Sequence, residues 1–144
     1  MQKDDPVNTP PMLGTLETAI FADDIDAAAQ FYGDVLGLTR VSRVDGRHAF
    51  FRTTADPFPQ MLLIFNPAAT EQPGQPVPSH GARGQGHVCF AVAEETLDAW
   101  RRHLIASGVA IETEVEWPKG GRSIYFRDPA GNSVELAPPR IWPS

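Results

Sequence analysis

Glu135 sits in the run SVELA, residues 133–137, a short stretch that follows the turn-forming DPAGN of residues 128–132. Between Val134 and Leu136 its carboxylate is either the wet-side residue of a half-buried strand or a group turned towards a cavity. The first is the ordinary case, because carboxylates are rarely buried without a partner, and the second needs a partner to meet the charge. Alternation along Ser123, Ile124 and Tyr125 puts Ser123 and Tyr125 on one face of the preceding strand, and Tyr125 lies ten residues before Glu135. A phenol and a carboxylate on neighbouring strands are a pair with chemical potential. The elements around them have to decide whether it is used.

The chain has 144 residues, which suits one compact domain. Its 42% hydrophobic and 21% charged residues are ordinary for a soluble globular protein. A formal net charge of −6 argues against nucleic acid as the main partner, since phosphate binding needs a basic face. No apolar run approaches the roughly 18 residues that span a bilayer. The start MQKDDPVNTPP has no apolar core of a signal peptide, and Cys89 is the single cysteine, so a reducing, cytoplasmic setting is expected.

Residues 1–12 are polar and rich in proline, and a flexible N-terminus is expected there. Leu13 to Ala22 reads as a strand, Asp23 and Asp24 offer an N-cap, and Ile25, Ala28, Ala29, Tyr32, Val35 and Leu36 form one helical apolar stripe closed by Gly37. Strands are expected at Thr39–Val44, His48–Thr53 and Met61–Phe65, with Asp45 and Gly46 turning between the first two. A Pro/Gly-rich linker, 67–86, separates this module, 13–66, from a second one, 87–138. There His87–Val92 is a strand, Leu97, Trp100, Leu104 and Ile105 mark a helix that Gly108 ends, and Val109–Val115, Arg122–Arg127 and Ser133–Leu136 are strands. Residues 139–144 form a tail. GRHAFFR in the first half answers GRSIYFR in the second, and each half reads β-α-β-β-β. The expected fold class is therefore α+β: two tandem βαβββ modules whose curved mixed sheets enclose a shared cavity, a metal-binding one by the resemblance that follows.

The paired modules, the segment FYGDVLGL, GHVCFAV and YFRDPAGNSVEL together resemble the vicinal oxygen chelate superfamily, which includes glyoxalase I, methylmalonyl-CoA epimerase, extradiol dioxygenases and fosfomycin and bleomycin resistance proteins. The resemblance covers about residues 13–138. It implies metal ligands on the first and last strand of each module. Those positions hold Glu17, His87 and Glu135, while the fourth falls near Leu63, which cannot bind a metal. One imidazole and two carboxylates suit a fairly hard divalent cation, Mn²⁺, Fe²⁺, Mg²⁺ or borderline Zn²⁺, with positions open to water and substrate. The set departs from the family: the three-ligand branches carry two His and one Glu, and glyoxalase I and the epimerase carry four ligands.

The resemblance also implies a substrate-contacting role for Tyr125, whose phenol can donate to a substrate oxygen. By the internal duplication His48 matches Ser123, so His48 is expected to face the cavity as an acid or base. Cys89 shares a face with His87 and is expected to be cavity wall, and Trp117 to Gly121 a flap over its mouth. The resulting expectation is a small-molecule metalloenzyme of lyase or isomerase type that binds vicinal oxygens of its substrate. An Fe²⁺ extradiol-type dioxygenase and a metal-free drug- or metabolite-sequestering protein are the alternatives. A homodimer is expected, because two modules leave open sheet edges.

Overall fold

The computed structural model describes residues 9–144. Its strands and helices follow the repeated order closely. Module one comprises β1 (Glu17–Phe21), α1 (Ile25–Gln30) with a π-helical continuation over Phe31–Val35, β2 (Thr39–Val44), β3 (His48–Thr54) and β4 (Gln60–Phe65). A short helix, α2 (Pro67–Thr70), opens the linker. Module two comprises β5 (His87–Ala91), a 3₁₀ turn at Glu94–Thr96, α3 (Leu97–Ala106), β6 (Thr113–Glu116), β7 (Arg122–Arg127) and β8 (Ser133–Ala137). A last 3₁₀ turn covers Pro139–Ile141.

The two sheets have the same topology, β1-β4-β3-β2 and β5-β8-β7-β6. In each, the first strand pairs parallel with the fourth and the rest are antiparallel. The registers also correspond. Ala19 and Phe50 flank Leu63 in the first sheet, as Cys89 and Tyr125 flank Glu135 in the second. Leu63 is therefore the structural counterpart of Glu135.

Alternation sends Ile20, Ala49, Phe51, Leu62 and Ile64 of one sheet and Ile124, Phe126, Val134 and Leu136 of the other into a single hydrophobic cluster with α1. Phe31 meets Phe126 at 6.1 Å between ring centres, and Tyr32 lies between Phe51 and Phe90. The modules thus share a core on their helix side. The opposite face of each sheet carries the candidate chemistry.

Two strands start later than the sequence expectation. β1 starts at Glu17 rather than Leu13: Met12 and Leu13 are almost fully exposed and gain no partner strand that would hold them extended. β6 starts at Thr113 rather than Val109: its ladder with β7 runs from Glu116–Arg122 to Thr113–Tyr125, and Phe126 and Arg127 of β7 pair only with β8. The linker is not structureless, since Asn66 caps α2 by accepting from the Ala68 amide at 3.0 Å. Residues 1–8 of the expected flexible N-terminus lie outside the described residues. Among the described residues, no helix is long and apolar enough to cross a membrane.

Candidate metal centre

β8 enters the second sheet between β5 and β7, and its alternation turns Glu135 away from the helix-side core. The carboxylate is nevertheless only 5% exposed. Its Oε2 accepts a 2.5 Å hydrogen bond from the Ser123 hydroxyl on β7, and its Oε1 lies 3.2 Å from Nε2 of His87 on β5. A buried carboxylate of this kind is stable only with donors or a cation around it.

The orientation of His87 follows from a second contact. Its Nδ1 lies 3.0 Å from the Ser133 carbonyl oxygen, which can only accept, so Nδ1 carries the proton. An unprotonated Nε2 presents its lone pair to Oε1 of Glu135, and a protonated one donates to it. At 3.2 Å the two atoms are held together by a proton on Nε2 or by a cation that takes a lone pair from each. Donors bound at about 2.1 Å and roughly right angles around one metal are separated by about 3 Å, so the spacing fits two ligands of a common ion. A ligating His whose other nitrogen donates to a backbone carbonyl is the usual supporting arrangement.

Tyr125 stands directly across from Glu135 in the β7–β8 register, and its ring stacks over His87 with centroids 6.3 Å apart. Burial, and then the Glu135 charge, raise the pKa of its phenol, which stays protonated and able to donate. Cys89 lies on the other side of Glu135 and is exposed, and partial desolvation beside that carboxylate pushes its thiol up to about 12. It is a thiol wall and not a nucleophile. Trp117 donates from Nε1 to Ser123 Oγ at 2.8 Å. The sequence placed Ser123 on this face but assigned it no role. The signal was its parity with Tyr125 beside a strand carrying a carboxylate.

Two expected site residues stand apart from this group. Glu17 begins β1 in the other sheet and is exposed. Among the described residues, no three His, Cys, Asp or Glu side chains converge as a metal site, so one chain gathers His87 and Glu135 without Glu17. His48 is buried on the first sheet, stacked on Phe50 at 4.0 Å and edge-on to Phe65, with Nδ1 accepting from Arg47 Nη1 at 2.7 Å. Burial, then the Arg47 charge, lower its pKa, so the ring is neutral and held rather than poised for proton transfer. Arg122 and Arg127 are committed to acidic partners, Arg122 to Glu114 and Asp98 and Arg127 to Glu112.

Known proteins share both the sequence pattern and this architecture. The sequence profile of the Glyoxalase/Bleomycin resistance protein/Dioxygenase superfamily matches residues 14–136. The crystal structure of lactoylglutathione lyase from Agrobacterium tumefaciens is 42% identical, with a TM-score of 0.84 over 92% of this chain and 98% of that one. A glyoxalase/bleomycin resistance protein/dioxygenase from Nocardioides shares the fold at 22% identity, with a TM-score of 0.70 over 92% of this chain and 87% of that one. Metallothiol transferase FosB of Shouchella clausii (strain KSM-K16) is 39% identical over 54 residues, so the match spans only 36% of that relative and 35% of this chain. With the profile covering nearly the whole chain and both sheets in the same arrangement, the protein belongs to the Glyoxalase/Bleomycin resistance protein/Dioxygenase superfamily.

Proposed function

We propose that this protein is a metal-dependent enzyme of lyase or isomerase type that binds a small molecule through two neighbouring oxygens. The observation that carries the proposal is the pair His87 Nε2 and Glu135 Oε1, an imidazole nitrogen 3.2 Å from an oxygen of a buried carboxylate. The similarity to a lactoylglutathione lyase at 42% identity supports the lyase class. His87 and Glu135 would hold the cation, one of Mn²⁺, Fe²⁺, Zn²⁺ or Mg²⁺, and Glu17 of a second copy would complete the set. Bound there, the cation supplies Lewis-acid stabilisation of charge that develops on the substrate oxygens. The protein's own part is positional. The Ser133 carbonyl fixes the His87 ring, Ser123 fixes Glu135, and the protonated Tyr125 hydroxyl donates to a substrate oxygen as it gains charge.

Elemental analysis after loading with each cation tests the reading. One tightly held ion per complete cavity is expected in the wild type, and none in a folded His87→Ala variant. Full occupancy in that variant overturns the ligand assignment. A wild type that holds none of the four ions overturns the metalloenzyme and favours sequestration, and ring cleavage that consumes oxygen with Fe²⁺ favours the dioxygenase.

A further inference from the structure

We infer that Trp117 and Ser123 form a positioning relay, which sets the orientation of Glu135 and links the β6–β7 loop to the metal-binding pair. The inference rests on the metal reading of His87 and Glu135 for its consequence, though its geometry stands alone. An indole N–H can only donate, so the 2.8 Å contact makes Ser123 Oγ the acceptor from Trp117. The hydroxyl proton of Ser123 is then directed to Glu135 Oε2 at 2.5 Å. Ser123 is 0% exposed and Glu135 5%, so water does not compete for these bonds. With Oε2 tied, only Oε1 faces His87, and the carboxylate offers a cation one oxygen. Successive hydrogen bonds in a shielded site also polarise one another.

The outer end of the relay is fixed as well. The loop closes on itself through Trp117 N to Gly121 O and Gly120 N to Trp117 O, both 2.9 Å. Gly120 and Gly121 both have positive φ, 110° and 89°. A Cβ at Gly121 would stand 2.7 Å from Ile141 Cγ2, so the turn is pressed against the Pro139–Ile141 segment. Arg140 in turn anchors that segment to Glu94 at 2.6 and 2.7 Å. Trp117 remains 36% exposed, so the relay runs from the surface to the buried carboxylate.

Module one is an internal control. The positions equivalent to Ser123 and Glu135 are His48 and Leu63, where there is no carboxylate to orient and His48 is turned to Arg47 instead. The hydroxyl donor stands only in the module that keeps a carboxylate.

The test uses the whole protein with ¹⁵N-labelled tryptophan, the Trp117 indole signal being assigned with Trp117→Phe. Without metal, Ser123→Ala is expected to move that signal and speed its exchange with solvent, and Ser123→Thr to restore it. In a Zn²⁺ titration the wild-type signal should shift in step with binding, and His87→Ala should abolish both. Ser123→Ala should weaken Zn²⁺ by about 10- to 100-fold and silence the indole response. Trp117→Phe should weaken it by about 2- to 10-fold, and Ser123→Thr should recover wild-type affinity. Unchanged Zn²⁺ affinity in Ser123→Ala, or an indole signal indifferent to Ser123, overturns the relay. A wild type whose indole signal depends on Ser123 but which takes no Zn²⁺ keeps the hydrogen-bonded relay and overturns the metal reading.

Discussion

His48 and Ser123 occupy equivalent positions, yet their neighbours give them different chemistry. Ser123 donates to Glu135, whereas His48 accepts from Arg47 and stacks on Phe50. The expectation that His48 works as an acid or base is not supported by this setting, because burial and the adjacent guanidinium both oppose its protonation. The consequence is one for stability. The folded pKa of His48 lies below the ordinary value of about 6.5. Below that value the unfolded chain takes up the proton first, so stability is lost as pH falls from about 6.5 towards the folded pKa. Urea midpoints between pH 7.5 and 5 should therefore fall more steeply for the wild type than for His48→Asn, whatever the baseline cost of that substitution. Parallel slopes would show that His48 is not a depressed titrating group.

At the scale of elements, the turn that precedes β8 does more than reverse the chain. Asp128 accepts from the Ala130 and Asn132 amides at 2.9 Å, from the Asn132 side chain at 2.9 Å, and from the Tyr32 hydroxyl at 2.7 Å. Asn132 donates on to the Phe21 carbonyl and accepts from the Gly86 amide. Module one, the linker end and the start of β8 are bolted together within one polar knot. Tyr32 reaches it because α1 widens into a π turn, with the Leu36 amide bonding Phe31 O at 3.0 Å. Burial and then the Asp128 charge hold the phenol far up, so it remains the donor. Tyr32→Phe should destabilise the fold by about 1–3 kcal/mol in urea unfolding, since a buried carboxylate loses a partner. An unchanged midpoint would show that the bond contributes nothing net.

For the whole molecule, the shared helix-side core leaves the first residues of β1 and β5 exposed in a single chain. His87 is 51% exposed at its side chain, and Glu17 is exposed on the other sheet. This arrangement suits a dimer in which Glu17 of one copy stands opposite His87 and Glu135 of the other. Mixing Glu17→Ala with His87→Ala protein under subunit exchange should then restore one tight metal site per mixed dimer, measured by calorimetry. Each variant alone should lack it. If the mixture binds no better than its parts, each chain builds its own site and the shared arrangement is wrong.

The local periods of the chain determined much of this by themselves. A pleat of period two placed Glu135, Tyr125, Ser123, His87 and Cys89 on one face, and the duplicated βαβββ order aligned Glu17 with His87 and Leu63 with Glu135. Those relations depend only on neighbours along the chain and on a repeat visible within it. Tertiary structure decided what that pattern leaves open. The Ser133 carbonyl chose the His87 tautomer, Trp117 chose the direction of the Ser123 hydroxyl, and Arg47 with Phe50 closed off His48. Separation of the two sheets kept Glu17 away from its expected partners within one chain. Alternation fixes a side chain's face, whereas a hydrogen bond or a ligand set needs atoms of distant segments within a few ångströms, which only packing provides.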